Sequence, residues 1–148
     1  MRRGELSNEV VPRILVVFEG LIATLPNGKA RGLEAIARKR KKWQQAVDYY
    51  ELTRTTSQGI RDLHRRDFRV DVITFVDPGF VQPIINKLDS RNLFFGGASY
   101  YTMETLLDDL TYDNSIIRVL DPDPSHQLTY GSRGRYCSPQ DLNLFNLL

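Results

Sequence analysis

The stretch RILVVFEGLIAT, residues 13–24, opens with a continuous apolar run and then breaks at a glycine. Aliphatic and β-branched residues without polar alternation are typical of a strand whose two faces are both covered by helices. Residues 13–18 are therefore predicted to form a strand of a parallel sheet. Glu19 is the single acid of the stretch and stands where that strand ends.

Strand and helix signals alternate along the rest of the chain. Further strands are predicted at residues 70–75, 116–120 and, more weakly, 92–95, where Gly96 and Gly97 follow. Helices are predicted at residues 32–52, 81–88 and 102–110, and from a cap at Thr55, Thr56 or Ser57 to Arg66. A small edge strand or hairpin is predicted around residues 127–130 and 135–137. This order indicates one three-layer, Rossmann-like α/β domain over residues 1–148, with a mainly parallel central sheet.

Length and composition restrict the class of protein. The chain has 148 residues, 41% hydrophobic and 26% charged, which is usual for one globular domain. No apolar run approaches the ~20 residues that span a bilayer, and no apolar segment follows the N-terminal arginines as in a signal peptide. The lone Cys137 lacks a partner for a disulfide or a zinc site and is expected to be inert. We expect a soluble, cytoplasmic protein that does not bind membranes.

Charge is unevenly distributed along the chain. Residues 29–69 carry 12 Lys/Arg against 5 Asp/Glu, whereas residues 70–148 carry 5 against 10. The excess is greatest in a predicted basic helical insertion, residues 29–52, at Arg38, Lys39, Arg40, Lys41 and Lys42. Such a cluster is either a solvated helix face or a site for the phosphates of nucleic acid.

Polar residues stand at the ends of three predicted strands: Glu19, Thr74, and Asp121 with Asp123. In parallel α/β sheets ligands bind at this edge, so we expect these side chains to converge if the strands are neighbours. Each also has a structural interpretation: Glu19 as a helix-dipole partner, Thr74 as a strand residue, and the two aspartates as turn formers before prolines. A weak Mg²⁺ site remains open, because Mg²⁺ needs only one or two carboxylates.

These strand ends resemble motifs of a known superfamily. The segments VFEGLIAT, ITF and VLDPDP are similar to motifs I, II and IV of the haloacid dehalogenase-like (HAD-like) superfamily, over residues 13–125. The resemblance implies a Rossmann-like fold and Mg²⁺-dependent phosphoryl transfer through an aspartyl phosphate. It also implies that Thr74 holds the phosphate and that Asp121 binds the metal, with Asp123 as a possible second ligand.

The match departs from the family at the position that matters most for catalysis. When the motifs are aligned on Gly20, the nucleophilic aspartate falls on Val17 and the second aspartate on Glu19. A valine cannot form the covalent intermediate. The family's lysine has no counterpart either, since Lys87 comes too early. Glu19 and Thr74 are then vestigial catalytic candidates in a degenerate member of the superfamily.

Three functions are compatible with these residues. The first is a non-catalytic HAD-like domain that binds a protein partner or a phosphorylated ligand. The second is a metal-dependent phosphatase or nuclease that uses Glu19, Asp121 and Asp123. The third is a nucleic-acid-binding accessory protein that uses the basic helix. His64 and His126 show no catalytic spacing, and the tail, residues 126–148, is predicted to dock on the core.

Overall fold

The computed structural model describes residues 11–25 and 42–137. The strands are β1 (Arg13–Val17), β2 (Ala23–Thr24), β3 (Glu51–Leu52), β4 (Arg69–Thr74), β5 (Gly97–Tyr100), β6 (Ile116–Asp121) and β7 (Gly134–Tyr136). The helices are α1 (Trp43–Asp48), α2 (Arg54–Arg65), α3 (Val81–Ser90), α4 (Met103–Tyr112) and α5 (Pro124–Tyr130), with 3₁₀ turns at Pro78–Phe80 and Gly131–Arg133.

The central sheet has five strands in the order β5-β4-β1-β6-β7, and all its pairs are parallel. Alternate side chains of β1 point to opposite faces. Ile14 and Val16 pack in one core with α2 and α3, whereas Leu15 and Val17 pack in a second core with α4. Helices therefore cover both faces, and the α/β prediction with a parallel sheet is confirmed. Among the residues described, no helix has the length and apolar character to cross a bilayer.

A short excursion between β1 and α2 carries α1. Strands β2 and β3 pair antiparallel at its base. Its aromatic residues dock it on the core, with ring centroids 5.7 Å apart for Trp43 and Phe80, and 5.3 Å apart for Phe18 and Tyr50. Lys87 of α3 donates to the carbonyl of Asp48, the last residue of α1, at 3.4 Å. Only residues 42–52 of the predicted basic insertion are described, and Arg38, Lys39, Arg40 and Lys41 lie outside them.

The predicted cap of α2 is wrong. The helix begins at Arg54, after Thr53 in extended conformation, and not after one of the three following hydroxyl residues. Thr53 Oγ1 donates to the carbonyl of Leu21 at 2.9 Å, which ties the start of α2 to the turn after β1. Ser57 lies inside the helix and donates to the carbonyl of Thr53. Tertiary bonding therefore decides where the helix begins.

Two predicted strands are also wrong. Residues 92–95 form the exit from α3, because Asn92 has a positive φ of 55° and the buried Leu93 anchors the loop. The edge strand is instead β5, which begins at Gly97. Residues 127–130 belong to α5, so no hairpin forms there and only β7 adds a strand. The described part of the tail packs on β6, while residues 138–148 lie outside the described ranges.

Candidate functional site

A cleft of about 370 Å³ opens at the carboxyl ends of β1, β4 and β6. This is the sheet edge at which ligands bind in parallel α/β proteins. Its lining residues are Val17, Glu19, Phe75, Val76, Asp121, Pro122, Asp123 and His126. The structure therefore brings together three of the four polar residues predicted to converge.

A glycine allows the loops after β1 and β6 to approach. Gly20 has a φ of +90°, which side chains other than glycine rarely adopt, and its amide donates to the carbonyl of Ala23 at 2.8 Å. A Cβ at this position would lie 3.1 Å from Cγ of Pro122. The tight turn thus sets Glu19 beside the loop that carries Asp121 and Asp123.

The end of β1 presents an apolar side chain to the cleft. Val17 is 2% exposed and belongs to the core cluster that contains Leu15, Ile73 and Leu106. It pairs with Ile73 of β4 in the sheet register. The position at which a nucleophile would be expected is therefore both uncharged and packed.

Glu19 connects the first strand to the second. Its Oε1 accepts a hydrogen bond from the amide of Phe75 at 2.8 Å, directly after the end of β4. This bond holds the loop after β1 against the loop after β4. It is a different contact from the helix-dipole interaction that the sequence also allowed for Glu19. The carboxylate still borders the cleft.

Thr74 is buried and does not line the cleft. The residue is 1% exposed, and its hydroxyl accepts from the amide of Val76 at 3.2 Å. That bond closes the turn after β4. Of the two interpretations of Thr74, this contact corresponds to the structural one.

Asp121 accepts hydrogen bonds at both of its carboxylate oxygens. Its Oδ1 accepts from the amide of Asp123 at 2.8 Å. Its Oδ2 accepts from the hydroxyl of Tyr130 at 2.6 Å and lies 2.9 Å from Nδ1 of His126. Burial, together with the bond to Asp121, raises the pKa of Tyr130, so the phenol remains a donor. The Asp121 carboxylate therefore holds together the segment that follows β6.

Asp123 begins helix α5. Its Oδ1 accepts from the amide of Ser125 at 2.9 Å and from the Ser125 hydroxyl at 2.7 Å, as an N-cap does. Hydrogen bonds from the Ser125 side chain and amide lower the pKa of the Asp123 carboxyl. Its Oδ2 lies 3.4 Å from Nε2 of His126. The turn-forming interpretation of the DPDP segment is thus observed.

His126 and Tyr130 are site residues that sequence reasoning missed. A usable signal existed, because an aspartate followed by proline is a helix-start signature and Asp123-Pro124 predicts a helix at that point. Residues four apart on a helix share a face. A helix beginning at Pro124 therefore turns His126 and Tyr130 toward the same side, where Asp121 lies.

Lys87 lies away from the cleft. It lines a separate hollow of about 360 Å³ between α1 and α3, together with residues that include Gln44 and Asn86. Burial lowers the pKa of its ammonium group. No lysine or arginine is found among the described residues that line the cleft.

No family model and no curated protein matches this sequence. A solved structure does match: the HAD domain of the effector protein Lem4 from Legionella pneumophila. The TM-score is 0.50 at 11% sequence identity, and the match covers 88% of each chain. The chain has a HAD-like fold. At this level of identity the likeness concerns the fold alone.

The sequence resemblance to HAD-like motifs implies a magnesium ion at this cleft, and the donor set gives a test of that implication. Within residues 11–25 and 42–137, no three His, Cys, Asp or Glu side chains are grouped so as to hold a metal ion. Tyr130 donates to Oδ2 of Asp121, Nδ1 of His126 lies 2.9 Å from the same oxygen, and Ser125 donates to Oδ1 of Asp123. As arranged, these residues do not fit a magnesium site. Magnesium at Glu19, Asp121 and Asp123 stays a prediction that requires these side chains to exchange partners.

Proposed function

We propose that this chain is a non-catalytic HAD-like domain that acts by binding a protein partner. One observation carries the proposal: a packed valine, Val17, stands in the cleft at the end of β1. Covalent phosphoryl transfer needs a carboxylate there. The acids nearby support the proposal, because their hydrogen bonds hold loops together.

The charge of the cleft favours a protein partner over a phosphorylated ligand. Glu19, Asp121 and Asp123 border the cleft, and none of its described lining residues is a lysine or arginine. A phosphate group would meet like charge there, and no lysine or arginine among the described lining residues would offset it. Titration calorimetry with inorganic phosphate should therefore detect no binding, with or without Mg²⁺.

Phosphatase activity provides the direct test. The full chain should not hydrolyse p-nitrophenyl phosphate in the presence of Mg²⁺. Val17→Asp should also remain inactive, because the present bonds of Asp121 would still have to be exchanged before a metal could bind. Circular dichroism would verify that the variant is folded, since the new carboxylate enters an apolar cluster.

The opposite result would support a metal-dependent phosphatase or nuclease. This alternative has one observation in its favour, since Glu19, Asp121 and Asp123 all border one cleft. Mg²⁺-dependent hydrolysis by the unmodified chain, abolished in Asp121→Asn but not in Asp108→Asn, would overturn the proposal. Asp108 is a suitable control because it is an exposed acid on α4.

A nucleic-acid-binding role for the basic helix stays a prediction. Of its five charged residues only Lys42 is described, and it is exposed just before α1.

A further inference from the structure

Helix α2 carries a line of arginines on its solvent side. Arg54, Gln58, Arg61 and Arg65 are all exposed and follow one another at spacings of four, three and four residues. Such spacings place side chains on one stripe of a helix, here about 16 Å long. The opposite side of the helix is buried through Ile60 and Leu63.

The positive charge on this stripe is largely uncompensated. Residues 54–69 contain five arginines and two aspartates. Asp62 pairs with Arg65 at 3.1 Å. Neither Arg54 nor Arg61 forms an ion pair within the described part of the chain. The stripe thus presents two arginines that are available to an external anion.

Helix stability does not account for Arg54. Cations favour the last turn of a helix, which explains His64 and Arg65. Arg54 occupies the first turn, where the helix dipole disfavours positive charge, and that turn contains no acid. An arginine at this position lowers the stability of the helix. We therefore attribute Arg54 to a function outside the helix.

An exposed aromatic ring lies beside the arginines. Phe94, in the loop after α3, is 63% exposed and packs on His64 with ring centroids 4.2 Å apart and planes tilted by 36°. His64 lies three residues from Arg61 and is therefore its neighbour on the helix surface. His64 supports one side of the ring and leaves the rest of it open to solvent.

We propose that this surface, defined by Arg54, Arg61, His64, Arg65 and Phe94, binds single-stranded nucleic acid. Cationic side chains that follow the phosphates, next to an aromatic ring on which a base stacks, are the two components of single-strand binding. The exposed ring beside the arginines favours single-stranded nucleic acid over an acidic peptide, because an unpaired base can stack on it. The surface shares no residue with the cleft or with the basic cluster at residues 38–42, so the proposal does not rest on the proposed function.

Fluorescence anisotropy with the full chain tests the electrostatic part. Labelled oligo-dT and oligo-U of about 20 nucleotides exceed the ~4–16 nucleotides that one such site spans. Binding should weaken with salt, and Arg54→Gln or Arg61→Gln should each reduce the slope of log K against log salt by about 0.7. Arg135→Gln is the matched control, because Arg135 is an exposed arginine on the distant edge strand β7 and should not change the slope.

Phe94→Leu tests the stacking part. The substitution keeps an apolar side chain but removes the ring, and it should weaken single-strand binding by about 5- to 100-fold without changing the salt slope. A duplex of the same length should bind more weakly and should not respond to this substitution, since its bases are already stacked. Thermal melts would establish that each variant is folded. If Phe94→Leu is unfolded, the exposed arginine variants still decide the question.

Several results would overturn the proposal. The first is no binding at low salt. The second is binding whose salt slope is the same in Arg54→Gln, Arg61→Gln and the parent. The third is binding that requires residues 38–42 and is unaffected by Phe94→Leu. Tighter binding of a poly-glutamate peptide, again unaffected by Phe94→Leu, would instead identify an acidic protein partner.

Discussion

At the scale of single residues, Asp121 shows how bonding partners determine what an acid can do. The carboxylate is 4% exposed and accepts from an amide and a phenol, and its Oδ2 lies 2.9 Å from Nδ1 of His126. A buried carboxylate without such donors would be strongly destabilising, so the donors are part of its stability. The same donors reduce its capacity to bind a cation.

Tyr130→Phe should destabilise the fold. Removal of the phenol hydroxyl leaves Oδ2 of Asp121 with one donor fewer in a buried site, which costs about 1–3 kcal/mol. Urea denaturation would measure the loss. Tyr136→Phe is the matched control, because Tyr136 is 48% exposed and should change stability by less than about 0.5 kcal/mol. Equal effects of the two substitutions would contradict a structural role for this bond.

The sequence predicts the positions of the acids but not their partners. Glu19, Asp121 and Asp123 reach one cleft because parallel strands end at the same sheet edge. Their hydrogen bonds depend on the amide of Phe75 and on side chains of α5. The bond between Glu19 and Phe75 joins residues 56 apart and arises from tertiary approach, which local spacing does not contain. The partners of Asp121 on α5 are nearer in sequence and follow from the helix start at Asp123-Pro124.

At the scale of elements, the start of β5 depends on a close approach of side chains to the backbone. A Cβ on Gly96 would lie 2.4 Å from Oδ1 of Asp71 and 2.5 Å from Nε of Arg69. At Gly97 the nearest atoms of these two side chains are 4.0 Å away. Adjacent glycines therefore have different tolerance for a methyl group.

Gly96→Ala should destabilise the fold by about 1–3 kcal/mol, because the buried carboxylate of Asp71 would have to shift. Gly97→Ala is the neighbouring control. It should be neutral or stabilise by up to about 1 kcal/mol through the reduced entropy of the unfolded chain. Urea midpoints of the two variants would separate these effects. A stable Gly96→Ala protein would show that the Arg69 and Asp71 pair is free to move.

The location of β5 illustrates the limit of prediction for elements. Residues 92–95, which include Leu93, Phe94 and Phe95, give the stronger strand signal, yet β4 pairs with Gly97–Tyr100. Asn92 and Leu93 form the turn at the end of α3, so the chain reaches the edge of the sheet only at Gly97. Strands β1, β4 and β6 were predictable because burial on both faces leaves runs dominated by aliphatic, β-branched residues.

At the scale of the whole molecule, ion pairs join separate parts of the chain at the amino ends of the strands. Arg13 of β1 pairs with Asp71 of β4 and with Asp113 after α4, each at 2.7 Å. Arg69 also pairs with Asp71 at 3.0 Å. A hydrogen bond from Ser115, together with the charge of Arg13, lowers the pKa of the Asp113 carboxyl.

The lowered pKa of the Asp113 carboxyl predicts that the fold loses stability in acid. A carboxyl with a lowered folded pKa stabilises the fold above its unfolded pKa of about 4, and the contribution disappears as the pH falls through the folded value. Asp113→Asn should therefore be less stable than the parent at neutral pH and should lose less stability between about pH 5 and pH 2. Urea midpoints across that range test this, with Asp108→Asn as the control for removal of one negative charge. Identical curves for the parent and Asp113→Asn would contradict it.

Asp121 also has a second attachment. Its main-chain carbonyl accepts from the amide of Cys137 at 3.0 Å, while its side chain holds α5. Under the proposed function, evolution could not easily restore the catalytic activity of an ancestor that used the Asp121 carboxylate. Any first step that releases the side chain would loosen α5 before a new activity could compensate. Loss of catalysis at such a position would then tend to be irreversible.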